Sequence, residues 1–365
     1  MHSDLLLVIV IAAAVAFDFT NGFHDTANVV ATSISTRALA PRTAVALASV
    51  LNFAGAFVSL KVAATVATGI ITAGQVTQTI AFAGLLGAIA WNLITWFFGL
   101  PSSSSHALIG SVIGALLAGA GGAAIKWQGL IDKVVLPGLI APVSAFLLGG
   151  TVIVVIYRIV ARRRPGPIGR AFRLGQIASS SLLSFAHGTN DAQKTMGVIA
   201  LALVAHGSIA ASPFHVPAWV VVVAASAMAL GTYAGGWRII RTVGTRIIKM
   251  DAAQGFAAQG AGAAVILTSS HFGYPLSSTH VISGAVTGAG AAKRLSAVRW
   301  GIAGNIVLAW ILTLPAAGAM GAATYAVANA FGSGALGPVL ITLVGLGALA
   351  TLLRTRRLRL AAAGA

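Results

Sequence analysis

HGTNDAQKTMG, residues 187–197, repeats a pattern met earlier in the chain as NGFHDTANVVA, residues 21–31. Gly22 falls on Gly188, Asp25 on Asp191, and Asn28 on Lys194. Further along, GLPSSSSHALIGSVIG (99–114) matches GYPLSSTHVISGAVTG (273–288), with Pro101 on Pro275, Ser103 and Ser104 on Ser277 and Ser278, and His106 on His280. Trp127 and Pro142 then match Trp300 and Pro315. Matches in the same order at a nearly constant register identify a duplication, which bounds the architecture before any single element is assigned.

The medium in which the duplicated chain folds follows from composition. The 365 residues are 58% hydrophobic and only 8% charged, where soluble domains carry roughly 25% charged residues. This is the composition of an integral membrane protein. The net charge of +17 is gathered in short connectors between apolar runs: Arg37/Arg42, RRRPGPIGR (162–170), RIIRTVGTRIIK (238–249), KRLSAVR (293–299) and RTRRLRL (354–360). Such placement is a topology signal, and it argues against nucleic acid as a partner. There is no cysteine, which excludes disulfides and thiolate chemistry. The start, MHSDLLLVIVIAAAVAF, lacks a basic region, so a cleaved signal peptide is not expected.

Apolar runs long enough to cross a bilayer are read near 4–36, 43–66, 78–99, 103–122, 134–160, 174–206, 216–235, 252–272, 277–292, 300–327 and 335–353. The expected fold is an all-α integral membrane protein of about 10–12 transmembrane helices in two inverted-topology repeats with interrupted helices. The first repeat covers 1–160, a basic cytoplasmic linker 161–173, the second repeat 174–353 and a basic cytoplasmic tail 354–365. Putting the basic loops inside places the N-terminus outside and the C-terminus in the cytoplasm. Lys126 and Lys133 run against that scheme. The odd number of spans between the two copies inverts the second, the build of secondary transporters that hold substrate near the midplane. The segments at 103–122 and 277–292 are short enough to re-enter rather than span.

The polar residues concentrate in the repeats. Asp18, Asn21, Asp25 and Asn28 share one helical face, and Ser184, His187, Asp191 and Lys194 occupy the matching places. Carboxylates on a membrane helix cost several kcal/mol unless a cation, proton or donor answers them. A buried network that merely locks helices together would not require a carboxylate at the matching position of both halves. Gly22 and Gly188 are where these helices are expected to be interrupted. PSSSSH and PLSSTH read as helix starts with a Ser N-cap. Each offers more hydroxyls than a cap consumes, and a helix N-terminus is a site for an oxyanion. His106 and His280 follow directly, as helix-to-helix hydrogen-bonding groups or as proton or metal contacts. Lys61 is assigned no role, and Asp132, Asp251 and Gln254 read as solvated caps at span ends.

GFHDTAN (22–28) and HGTNDAQK (187–194), with SSSSH and SSTH after them, resemble the paired signatures of the inorganic phosphate transporter (PiT) family. The resemblance runs over nearly the whole chain. It implies secondary transport of phosphate, with the signature helices meeting at a central site. It assigns Asp25, Asn28 and Asp191, joined here by Asp18, to the coupling cation or proton. Ser103, Ser104, Ser105, Ser277, Ser278 and Thr279, with Asn190 and Lys194, are assigned to phosphate. His24, His187, His106 and His280 are left as proton or metal contacts. Sodium-coupled members carry G-A-N-D-x-A-N in both copies; His24, Gln193 and Lys194 depart from it. That departure resembles the bacterial low-affinity branch, which is proton-coupled and associated with neutral metal–phosphate complexes.

The expected function is therefore phosphate import by cation symport in a bacterial cell membrane, with no cofactor and no catalytic residue. The partners are phosphate, a proton or sodium, a divalent metal ion and the bilayer; self-association stays open. Sulfate uptake and sodium-coupled phosphate uptake are the alternatives within the class. An intramembrane hydrolase using a Ser near His106 or His280 lacks a G-x-S-x-G setting.

Overall fold

The first apolar run is uniformly helix-forming, and in the computed structural model it is one helix, α1 (His2–Ser35). The structure describes residues 2–162, 165–332, 334–347 and 351; the expected tail at 354–365 lies outside them. The matching helix of the second half, α8 (Pro165–His206), is likewise continuous. Between them in sequence lie α2 (Pro41–Gly55), α3 (Lys61–Ala64), α4 (Gln78–Phe98), α5 (Ser104–Gly119), α6 (Trp127–Leu130) and α7 (Leu136–Val160). After α8 come α9 (Ala218–Ala234), α10 (Trp237–Arg241), α11 (Ala252–Phe272), α12 (Ser278–Lys293) and α13 (Trp300–Asn329), then α14 (Leu336–Gly347). The elements of 2–160 recur in order in 165–329. No strand is present among the described residues, apart from a single antiparallel bridge between Ile71 and Ile125.

Two hydrophobic cores flank a polar layer. One holds Val10 and Phe17 of α1 with Met196, Ile199 and Leu203 of α8. The other holds Val29 and Val30 of α1 with Leu183 and Ala186 of α8. The N-terminal half of α1 thus shares a core with the C-terminal half of α8, so the two helices run antiparallel. Asp18 to Asn28 and His187 to Asp191 lie between the cores, within about 15 Å of helix rise on α1. The backbone repeats the relation: Lys126 N–H donates to the Ile70 carbonyl at 3.0 Å, and Arg299 N–H to the Ile247 carbonyl at 3.0 Å.

The interruptions fall elsewhere than at Gly22 and Gly188. A Cβ on Gly22 would lie 2.3 Å from the Met228 carbonyl oxygen, and one on Gly188 2.1 Å from that of Asn52. These glycines let α1 approach α9 and α8 approach α2 at backbone contact, as small residues do in lipid. The breaks are in those partner helices. The span read at 43–66 stops at Gly55 and resumes at Lys61. The one read at 216–235 stops at Ala234 and resumes at Trp237 with a 58° bend. Residues 237–246, expected as a basic connector, are the second half of that broken span.

The short segments form hairpins. Gly84 packs on Val112 and Gly87 on Ser111, so α4 and α5 run antiparallel; Gly262 packs on Ile282, pairing α11 with α12 in the same way. Each five-residue tip opens with a glycine of positive φ, Gly99 at 66° and Gly273 at 77°, the conformation glycine supplies at a helix C-terminus. The 16 residues of α5 and of α12 rise only about 24 Å, short of a hydrocarbon core of about 30 Å. Both are buried, from Ser104 to Leu116 and from Ser278 to Val286, and are the inner arms of the hairpins. The α4–α5 hairpin lies in the first core and the α11–α12 hairpin in the second. Each inner arm packs through glycines on the long helix of the other half: Gly110 and Gly114 on Leu314 and Gly318, Gly284 and Gly288 on Pro142 and Phe146.

By length and composition four helical segments among the described residues can cross a membrane: Ser3–Ser35, Gln78–Phe98, Trp127–Val160 and Trp300–Asn329, with the bent pair Ala218–Ala234 and Trp237–Arg246 as a fifth. Most of the remaining runs read as spans are hairpin arms or halves of broken helices. Outside, Leu139, Ile140, Val143 and Leu147 on α7 and Leu308, Ile311 and Leu312 on α13 are exposed, an apolar belt fit for lipid.

Asp251 caps α11 in a capping box, accepting from Gln254 N–H at 2.9 Å while the Gln254 side chain accepts from Asp251 N–H at 3.1 Å. Burial pushes the Asp251 carboxyl up, but the Gln254 N–H, the Lys293 ammonium and the Tyr157 hydroxyl outweigh it and hold the group below its usual value. A carboxyl lowered on folding stabilises above its unfolded value, and that stabilisation is lost as pH falls through the folded one. Asp251→Ala should therefore cost about 1 kcal/mol at pH 7, and the gap to wild type should narrow below about pH 4. Thermal unfolding in detergent at both pH values checks this.

Candidate functional site

The hairpin tips meet the polar stripes of α1 and α8 between the two cores. Ser103 and Ser277 cap α5 and α12, accepting from His106 N–H at 3.0 Å and His280 N–H at 3.3 Å. Their oxygens are thereby occupied in capping. The next hydroxyls face the carboxylates. Ser104 donates to Asp25 Oδ2 at 2.5 Å, while Ser278 lies 3.1 Å from Asp191 Oδ2 and 3.3 Å from Asp25 Oδ2. A single hydroxyl thus stands between the two signature aspartates, which sequence position separates by 166 residues (191 − 25).

The cations and amides cross between halves. Asn28 donates to Thr279 at 2.9 Å and Ser278 at 3.2 Å, on the second hairpin. Lys194, in the matching place, donates to Ser105 of the first hairpin at 2.5 Å, to the Leu276 carbonyl at 2.6 Å and to Asp191 Oδ1. Its ammonium is thus surrounded by a carboxylate, a hydroxyl and a carbonyl oxygen. Lys194 is 1% exposed, and burial of a charge on this scale is tolerated only with such partners. His187 Nε2 lies 2.9 Å from Asp191 Oδ2 and its Nδ1 3.2 Å from Asn52 Oδ1. His24 Nδ1 lies 2.7 Å from Asp25 Oδ1, with Nε2 near Thr95 and Ser102. Potential ligand atoms of Asp25, His187 and Asp191 all fall within 4.8 Å of one another, a donor set of carboxylates and imidazole suited to a divalent cation.

Not every residue singled out by sequence joins this cluster. Asp18 accepts from Thr195 at 2.7 Å, and its Oδ2 has no hydrogen-bond donor among the described residues. Asn190 turns to the second hairpin, donating to Ser270 at 2.9 Å and to the Tyr274 carbonyl at 3.0 Å. His106 and His280 stack edge to face behind the tips, 4.7 Å between ring centroids, with His280 also against Trp310. The aspartates and histidines of the site, Lys194, Asn28, Asn190 and the hairpin hydroxyls Ser103 to Ser105 and Ser277 to Thr279 are all at most 5% exposed, so the site is closed to solvent.

Several contributors were missed. Gln193 accepts from the Val62 and Ala63 N–H groups at 3.0 and 3.3 Å, satisfying donors that the break before α3 leaves free. Asn52 bridges His187 and Thr232. Lys61 donates to the His271 carbonyl at 2.9 Å at the end of α11. Arg238 donates to the Phe97 carbonyl at 2.5 Å at the end of α4, over the Trp96 and Phe97 rings. Each cation caps a helix C-terminus of the other half's hairpin. The duplication was the available signal, since Lys61 and Arg238 both open the second part of a broken helix.

The profile of the Phosphate transporter family matches this chain twice, over residues 21–168 and 162–321. A protein of Mycobacterium tuberculosis named "Probable low-affinity inorganic phosphate transporter" is 52% identical over 353 residues, covering 96% of this chain and 84% of its own length. Proteins of the same name from Rhizobium meliloti and Bacillus subtilis are 49% and 43% identical, each over 89% of this chain and 97% and 98% of their own. The solved structure titled "The sodium-dependent phosphate transporter" superposes with a TM-score of 0.81 at 25% identity, over 88% of this chain and 98% of that one.

Proposed function

This chain belongs to the phosphate transporter family, and on that premise we propose that it is a secondary transporter importing inorganic phosphate by proton symport across a bacterial cell membrane. The duplication is read as two inverted repeats, 1–160 and 174–353, joined at the basic stretch from which α8 starts. The N-terminus lies outside, and the tail and the basic connectors other than 237–246 lie in the cytoplasm.

One observation carries the coupling assignment. The Lys194 ammonium sits among Asp191, Ser105 and the Leu276 carbonyl, an oxygen shell of the kind that binds sodium. A tethered cation there does permanently what a bound sodium would do in passing. Coupling then falls to the carboxylates without a fixed cation: Asp25, with Asn28 beside it, and Asp18, whose Oδ2 has no donor among the described residues. Phosphate is received by Ser104, Ser105, Ser278 and Thr279 with the N-terminal N–H groups of α5 and α12, an oxyanion site built from two helix ends. A protonated phosphate donates hydrogen bonds and sulfate does not, so the acceptor carboxylates favour phosphate. Because the site is sealed, turnover requires each hairpin to withdraw in turn, exposing it to one face at a time.

The Asp25, His187 and Asp191 cluster favours a second reading of the cargo, a divalent metal ion travelling with phosphate as a neutral complex.

Labelled phosphate uptake into proteoliposomes tests both, with proton and sodium gradients imposed separately, with and without magnesium, and with sulfate as competitor. An inward proton gradient alone should drive uptake in wild type, and Lys194→Asn should lose that uptake or acquire a sodium requirement. Sodium-dependent uptake by wild type would refute the tethered-cation account. Uptake indifferent to magnesium would refute metal–phosphate cargo, and sulfate accumulation in place of phosphate would refute the substrate.

A further inference from the structure

A cavity of about 600 Å³ outside the transport site is lined by Lys249, Gln254, Lys293, Arg294, Ser296, Ala297 and Arg299. It opens beside the second core, between the end of the π-turn Thr242–Arg246 and the short turn after α12. Of its four cations, Lys293 is paired with Asp251 at 3.1 Å, and Arg299 reaches the Thr245 and Arg246 carbonyls at 3.5 and 3.4 Å. The side chains of Lys249 and Arg294 make no hydrogen bond or ion pair among the described residues and are exposed. Gln254 is buried and held by Asp251 N–H and the Ala289 carbonyl, so one wall is rigid.

The duplication supplies an internal comparison. In the matching corner of the first half, Arg299 corresponds to Lys126, whereas Thr72, Gly119 and Ala120 stand where Lys249, Lys293 and Arg294 stand. The cavity beside that corner is lined by Ser3, Leu6, Ala73, Thr77, Gln78 and His206 with their neighbours, and by no Lys or Arg. The backbone is built the same way in both corners, so the fold does not call for four cations. A positive-inside bias accounts for the sign of this face but not for convergence of unpaired cations on one concavity.

We infer that this cavity is a second anion site, distinct from the transport site, that binds a phosphate group through Lys249 and Arg294, with Lys293 and Arg299 completing the field. The group arrives either on an anionic phospholipid of the adjoining leaflet or as free phosphate. Basic pockets at the membrane surface bind lipid head groups in this way, and a guanidinium matches the phosphate oxygens in a fork. The inference does not depend on which ion couples transport.

Native mass spectrometry of the full chain from vesicles of phosphatidylcholine with phosphatidylglycerol tests the lipid source. Equilibrium dialysis of delipidated protein with labelled inorganic phosphate tests the free one. The double variant Lys249→Gln/Arg294→Gln should bind one of these probes about tenfold more weakly, as loss of two charge-assisted contacts implies. Lys249→Arg/Arg294→Lys should restore binding. Arg42→Gln/Arg173→Gln, removing equal charge from exposed positions outside the cavity, should leave it unchanged. A loss confined to phosphatidylglycerol assigns the site to lipid, and a loss confined to inorganic phosphate assigns it to the free anion. Equal binding by wild type and the cavity variant overturns the inference. So does an equal loss in the Arg42/Arg173 variant, which would show diffuse charge rather than a site.

Discussion

Lys194→Met should be among the most damaging single substitutions in the chain. It removes the only fixed cation touching Asp191 among the described residues and leaves that carboxylate buried. Breaking a buried pair from one side costs about 3–5 kcal/mol. The variant should unfold at markedly lower temperature in detergent and show no phosphate uptake. Lys194→Met/Asp191→Asn should recover most of the thermal stability, because the uncompensated charge is gone, while uptake stays absent. The two measurements together separate charge burial from function. If the single variant keeps wild-type stability, the ammonium is not what neutralises Asp191, and the tethered-cation reading falls with it.

Gly188→Ala should be nearly as severe for a different reason. The added methyl would meet the Asn52 carbonyl at 2.1 Å, backbone against backbone, and no rotamer relieves that contact. Helix α8 must shift from α2, which costs about 1–3 kcal/mol and pulls His187 from Asn52 and Asp191 from Ser278. Uptake should fall by more than the stability loss explains. Gly22→Ala, against the Met228 carbonyl, is the matched test in the first half. A control such as Gly301→Ala, with nothing within 4 Å of the added atom, should behave as wild type.

Both predictions rest on features that were partly legible in the chain. Membrane embedding followed from composition, because 58% apolar and 8% charged residues leave no other solvent for the surface. The duplication was legible because both copies keep the same side chains in the same order. Its inversion was expected from a count of spans that the structure revises, while the antiparallel run of α1 and α8 is seen in the cores they share. The cap at Asp251 and the presence of a hydroxyl cap in each serine-rich segment were readable since capping depends on a few adjacent residues. Ser103 and Ser277, assigned by sequence to phosphate, are identified as those caps only by the structure.

Depth and pairing were not readable. A run of apolar residues looks alike whether it spans, re-enters or breaks at mid-depth. What distinguishes them is the set of carbonyls and N–H groups that other elements can satisfy. The break before α3 is tolerated because Gln193 reaches its N–H groups, 131 residues away (193 − 62). The tip of the α11–α12 hairpin ends where Lys61 can cap it. Gly22 and Gly188 look like helix breakers in sequence and act as contact points, since flexibility and smallness are the same residue seen without and with its neighbour.

The chain alone therefore establishes the solvent, the duplication and which polar residues must be answered inside the bilayer, all of which depend on local identity and order. Folding in three dimensions settles where the helices break, which segments fold back as hairpins, and how Ser278 comes to stand between Asp25 and Asp191. Those outcomes turn on long-range satisfaction of buried polar groups, and a partner more than a hundred residues distant leaves no local mark.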